Sequence, residues 1–207
     1  MDFEQTRIAA GPDACARSVI VAQVTQALHA YEDAADIAAI LSNSEVSPAD
    51  VVREFGTTQA LAGSVVGMIA DWMLAPLGWP CEESFRGQLI EFAHRATSEY
   101  VGLRLRNLYR IAVDEGARDS GIRNELYRNG PQRMLQELTR FFDSARTAGV
   151  GLHADSQRLA VCFIALLRTR WDPLSVSDAT DTTPTEREIA DLVDTFLTGI
   201  GAEDADA

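Results

Sequence analysis

Apolar residues recur at intervals of three and four along the whole chain, and no segment alternates at period two between turn dipeptides. This pattern predicts an all-α protein. Residues 18–31 align Val21, Val24 and Leu28 on one side of a first helix, and residues 36–43 carry Ile37, Ile40 and Leu41 on a short second one. Ser47 before Pro48 supplies an N-cap hydroxyl and a proline at the first helical position, with Asp50 reaching back from the third. That helix runs to about Phe55. Residues 59–74 form a longer one, closed by Pro76, Gly78 and Pro80.

Helices are predicted next over residues 82–96, 98–116 and 120–128. Gly130-Pro131 looks like the start of another, carrying Met134, Leu135, Leu138, Phe141, Phe142 and Ala145 until Gly149 stops it. Asp155 caps a helix whose centre is apolar on every side, which demands burial. After a polar loop at residues 172–182, Thr183-Pro184-Thr185-Glu186 reads as a capping box. Ile189, Leu192, Val193, Phe196 and Leu197 then make one stripe ending at Gly199. The division expected from these elements is a disordered stretch over 1–14, a three-helix domain over 15–62, a larger helical domain over 63–200 and an acidic tail over 201–207.

Charge changes the picture at the N-terminal end. The net charge is -13, all 18 basic residues are arginine, and residues 1–60 hold three arginines against nine acids. A protein that grips nucleic acid normally presents a basic face to phosphate. Three well-separated cysteines, Cys15, Cys81 and Cys162, give neither a disulfide framework nor a zinc spacing and are expected to be reduced packing residues. The longest strictly apolar run is nine residues, 159–167, too short for a membrane span, and the start Met1-Asp2-Phe3-Glu4 lacks the basic segment of a secretory signal. Cytoplasmic residence is the expectation, with no membrane partner.

Three short helices, a long linking helix and an all-helical remainder resemble the TetR family of one-component bacterial regulators. The third helix of that family reads Val-Ser-x-x-x-Leu-Tyr-x-His-Phe before a small-residue turn. Val46, Ser47, Val51, Phe55, Gly56, Ala60 and Leu61 match it, and Ile37 and Ile40 fall at its core positions. In the second half, the segments 108–112, 125–131, 163–168 and 184–199 look like the ligand-binding and dimerisation domain of an AcrR-type branch. The departures gather at DNA-touching positions: Ala35 and Ala38 in and before the second helix, Glu45 at the turn glycine, where Asn43 or Ser44 would have to distort, and Pro48, Val52 and Thr58 around the third. Arg53 alone brings positive charge there, among Glu45, Asp50 and Glu54.

The resemblance implies a helix-turn-helix domain that meets duplex operator DNA through Ser47, Pro48, Asp50, Val52, Arg53 and Thr58. It also implies a larger domain that binds a small hydrophobic effector and pairs with a second copy. An apolar pocket with few polar groups could draw on Met68, Trp72, Trp79, Phe85, Phe92, His94, Tyr109, Arg110, Phe163 and Trp171. Such aromatics equally serve as core. The run Arg104, Arg106 and Arg110 could meet an anionic ligand or form a solvated face linked to Glu99 and Asp114.

The homodimer interface is expected to join the apolar faces of residues 131–148 and 155–170, with Leu135, Leu138, Phe142, Leu159, Phe163 and Leu166 at its core. No enzyme, cofactor or metal is expected. His29, His94 and His153 are scattered, and Gly63-Ser64-Val65-Val66-Gly67 only echoes a phosphate loop from inside a helical pattern. Two readings stay open: a dimeric regulator, expected to be a repressor, and a dimer of the same shape that has lost DNA readout and serves as a ligand-binding or protein-interaction module.

Overall fold

The computed structural model describes residues 12–30, 36–78, 83–116, 121–169 and 183–201. Among them every regular element is helical, and the all-α expectation holds. The first helices are α1 (Pro12–Ala30), α2 (Ile37–Ser42) and α3 (Pro48–Phe55), followed by α4 (Thr58–Leu74) and a short 3-10 turn at Ala75–Leu77. Then come α5 (Phe85–Ala96), α6 (Glu99–Gly116) and α7 (Gly121–Tyr127). A π-helical turn at Arg128–Gln132 leads into α8 (Arg133–Thr147), with α9 (Ser156–Arg168) and α10 (Glu186–Ile200) completing the chain.

α1 begins at Pro12, so three residues of the stretch expected to be disordered are helical, while residues 1–11 and 202–207 lie outside the described part. Among its described side chains the buried stripe runs from Ile20 through Val21, Val24, Ala27 and Leu28. The turn between α2 and α3 closes without a left-handed residue at Asn43, whose φ is -100°. The Ser44 hydroxyl does the work by donating to Leu41 O at 2.9 Å and accepting from Val46 N. After α3 the chain needs positive φ, and Gly56 at 76° supplies it.

α4 is the axis of the molecule. Leu61, Val65, Val66, Ile69, Ala70 and Met73 are buried on several sides, against α1, α3, α5, α7 and α8. By length and composition Thr58–Leu77 could cross a bilayer, which the nine-residue run did not suggest, but most of it is buried inside the protein. At Gly63 an added Cβ would lie 2.9 Å from Asn129 Nδ2 and 3.2 Å from Glu125 Cβ, so the missing side chain lets α7 come close.

Gly130-Pro131 does not start a helix. The helix continues through the π turn, whose wider ring accepts a proline that would clash with the carbonyl four residues back in an α-helix. The capping box sits two residues later than the sequence suggests: Thr185 N donates to Glu188 Oε2 at 2.9 Å, and Glu188 N donates to Thr185 Oγ1 at 3.3 Å. The helix ends at Gly201, at φ 61°, rather than at Gly199. The expected loop at residues 172–182 lies outside the described residues.

The body's core is aromatic. Phe85 stacks on Phe141 at 5.2 Å, Phe142 meets Phe85 and Phe196, and Phe163 lies 4.8 Å from Phe196 and 6.1 Å from Phe92. Arg86 holds α10 to α5 through two hydrogen bonds to Asp194, at 2.7 and 2.9 Å. Those bonds keep the Asp194 carboxyl below its usual 3.8. A depressed folded-state value means the contribution is complete above the unfolded value and fades as pH falls through the lowered one. Asp194→Asn should therefore cost about 0.2–1 kcal/mol at pH 7 and nothing at about pH 2, a difference that denaturant unfolding at the two pH values measures.

Candidate functional site

Two places could carry chemistry: the exposed face of α3, and a cavity in the body. On α3, the Ser47 side chain is spent on its own helix. Its oxygen accepts from Asp50 N at 3.1 Å, and its hydroxyl donates to Asp50 Oδ2 at 2.7 Å. Arg53 reaches Asp50 Oδ1 at 2.6 Å and Glu54 Oε1 at 2.8 Å. The Ser47 hydroxyl, and then the Arg53 guanidinium, hold the Asp50 carboxyl below its ordinary value; Glu54 and then Asp50 push Arg53 further up. The one arginine of this helix is thus neutralised by two carboxylates of the same helix.

The other expected DNA-facing residues are open to solvent. Pro48 is exposed, Val52 is 64% exposed, and Thr58 is exposed with its hydroxyl directed to Gln59 Oε1 at 3.3 Å. Behind them, Val51 is buried and Phe55 packs against the core beneath the Arg17 guanidinium, 5.6 Å from its ring. The helix is well anchored and its outer face is electrostatically closed on itself.

The cavity lies where five helices meet, with an accessible volume of about 50 Å³ that opens to solvent at its mouth. Val66, Ala70 and Met73 of α4 form one wall, and Leu105 and Tyr109 of α6 another. Gly130 and Pro131 bring in the π turn, followed by Met134 of α8, while Ile164, Leu167 and Arg168 come from α9. A Cβ on Gly130 would sit 3.0 Å from Val66 Cγ1 and 3.2 Å from the Tyr109 hydroxyl, so only glycine leaves this corner open. Irregular π turns of this kind occur often at functional sites. Burial pushes the Tyr109 phenol up to about 12, against the opposing pull of the Arg168 charge, so it stays a neutral hydroxyl.

Of the residues expected to line a pocket, Tyr109 does. Phe85, Phe92 and Phe163 are fully buried core, and Trp72 packs on Tyr100 at 5.0 Å with the Arg95 guanidinium over it at 5.3 Å. Met68 is half-buried against the core, His94 and Arg110 are exposed, and Trp79 and Trp171 lie outside the described residues. Packing explains the correction: rings that fill space leave none. The cavity is bounded instead by small and flexible side chains, and the Gly-Pro pair inside an unbroken apolar pattern was the signal that could have found it.

The expected dimer core needs the same correction. Leu138, Phe142, Leu159 and Phe163 are each no more than 1% exposed within one protomer, because α8 and α9 pack against one another and against the body. Leu135 and Leu166 remain partly exposed. The apolar groups that α9 leaves at the surface are Val161, Cys162 and Ala165, so Cys162 is not a packing residue. Arg104, expected on a solvated or ligand-facing surface, is buried: it donates to Thr25 O at 3.2 Å and Tyr100 O at 2.8 Å and lies 3.8 Å from the Tyr100 ring. Asn107, one turn on, donates to Leu28 O at 3.0 Å. Among the described residues no cluster of side chains could hold a metal ion.

A helix-turn-helix unit mounted on a helical body with an apolar cavity defines a class of regulator, and comparison with known proteins supplies the family. Residues 87–199 match the model of the AefR-like transcriptional repressor, C-terminal domain. The chain belongs to the TetR family of transcriptional regulators. A structure from Mesorhizobium loti described as a TetR-family transcriptional regulator is 18% identical, with 92% of this chain and 98% of that one covered at a TM-score of 0.66. GusR of Salmonella enterica is 16% identical over 93% of this chain and 98% of its own, at 0.64. A Rhodococcus protein described as a TetR-family regulator is 18% identical over 88% and 99%, at 0.61. At these identities the structures speak for the fold. No curated protein matches the sequence.

Proposed function

We propose that the protein is a cytoplasmic, homodimeric repressor in which residues 15–62 meet operator DNA and residues 63–200 bind a small hydrophobic effector. One observation carries this reading: the helix that forms a cavity wall also leads out of the DNA-reading unit. Only Gly56 and Thr57 separate α3 from α4, which places Val66, Ala70 and Met73 along the cavity. α6 supplies a second path, with Leu105 and Tyr109 at the cavity and Arg104 and Asn107 on the carbonyls of α1. An effector that fits one arrangement of these helices better than another shifts the spacing of two α3 helices in a dimer. The outward face of α9, with Val161 half exposed beside Cys162 and Ala165, is the proposed contact between copies.

A second reading is supported by the closed Ser47–Asp50–Arg53–Glu54 chain: a dimer that binds ligand or protein and has lost DNA readout. Selection from a random duplex pool at low salt separates the two. A repressor enriches a palindrome; the second reading enriches nothing. Asp50→Asn combined with Glu54→Gln removes both carboxylates that hold Arg53. If Arg53 is freed to contact one phosphate in each protomer, DNA binding strengthens and the slope of log affinity against log salt steepens by about two for the dimer. An unchanged slope would show that Arg53 does not meet phosphate.

A further inference from the structure

Two polar side chains border the otherwise apolar cavity, and both lack a partner among the described residues. The Tyr109 hydroxyl makes no hydrogen bond to them although most of its ring is buried, an unusual state for a tyrosine oxygen. Arg168, in the last turn of α9, forms no ion pair with them either. Its charge is near enough to Tyr109 to favour ionisation of the phenol. The chain's other arginines around this part of the body are occupied: Arg133 on Gly67 O and Asp71, Arg140 on Glu137, Arg95 on Glu91 and Trp72 O. Arg168 stands out from them because it borders the cavity and has no acid paired with it among the described residues.

The lining fixes the chemistry of an occupant. Among the described residues no carboxylate lines the cavity, so none of them offsets the desolvation of a cation, and Arg168 repels one. Polyols and sugars need several hydrogen-bonding partners, whereas among the described residues two side chains supply the polar groups here besides backbone. A purely apolar molecule would leave the phenol and the guanidinium as they are. A carboxylate at the α9 end satisfies both, accepting from the Tyr109 hydroxyl and from Arg168, while its apolar body lies along Val66, Met73 and Met134. We propose that the cavity takes an apolar molecule bearing one carboxylate, held at the mouth by Arg168 and Tyr109.

This assignment rests on the cavity being the effector site, and the test separates the two. Calorimetric titration of the intact protein with decanoate, decan-1-ol and decyltrimethylammonium keeps the apolar chain constant and changes the head group. The expected order is decanoate at least tenfold tighter than the alcohol, with the cation weakest. Arg168→Gln should remove the advantage of decanoate and leave the alcohol unchanged; Arg168→Lys should restore part of it, and Tyr109→Phe should lessen it several-fold. The advantage should also vanish as pH falls below about 4, where a carboxylate takes up its proton. Equal affinity for acid and alcohol, a preference for the cation, or indifference to Arg168→Gln would overturn the carboxylate assignment while leaving an apolar effector site in place. If none of the three compounds binds, the carboxylate assignment and the effector-site reading fall together.

Discussion

Replacement of Phe163 by alanine is expected to lower the unfolding free energy by about 3–5 kcal/mol, a large share of the roughly 5–15 kcal/mol that holds a typical domain together. The ring is fully buried where α5, α9 and α10 meet, 6.1 Å from Phe92 and 4.8 Å from Phe196. Alanine would leave a cavity that three packed helices cannot close, and two aromatic contacts would be lost with it. Leu166, partly exposed on the same helix, should cost much less on truncation. Denaturant unfolding at several protein concentrations distinguishes this from an interface role. A Phe163→Ala shift that is independent of concentration places the loss in the protomer, whereas a shift that shrinks as concentration rises would place it between copies.

The second large effect is expected at the joint between α6 and α1. Arg104→Met with Asn107→Leu removes the donors to Thr25 O and Leu28 O, leaving two carbonyls without side-chain partners in buried surroundings. Each such loss costs roughly 1–3 kcal/mol. Burial already pushes the Arg104 guanidinium below its usual value, with the neighbouring Tyr100 opposing that shift, so its ring stack and hydrogen bonds are what keep the charge tolerable there. Because the bonds lie at one end of the molecule, the damage should be local. Hydrogen exchange of the α1 amides is expected to speed up by about two orders of magnitude, with α8 to α10 little changed. Equal loss of protection in both regions would mean that α1 unfolds with the whole protein and that the joint is not a separate unit.

Much of the architecture was legible because short-range chemistry dictates it. Ser47 and Asp155 cap the helices they were expected to cap, and the stripes of α1, α2 and α10 bury the residues their spacing indicated, with only Leu192 left partly exposed. The π turn was hidden for a physical reason. A Gly-Pro pair favours a helix start and also fits a widened turn, and apolar periodicity cannot register one extra residue within a continuing helix. The faces of α8 and α9 were misassigned for another: sequence shows that Leu138, Phe142, Leu159 and Phe163 must be covered, and does not say by which chain. On α3, Asp50 and Glu54 were visible as neighbours of Arg53, but spacing alone does not say whether an arginine faces outward or folds back onto its own helix.

Arg53, held by two carboxylates of its own helix, has a kinetic corollary. Proteins that slide along DNA depend on weak, sequence-independent attraction to the backbone, which lets them scan many sites in each encounter. A regulator with this α3 would have almost none of that attraction. It would have to find its operator by repeated collisions from solution, arriving slowly and spending little time on the rest of the chromosome.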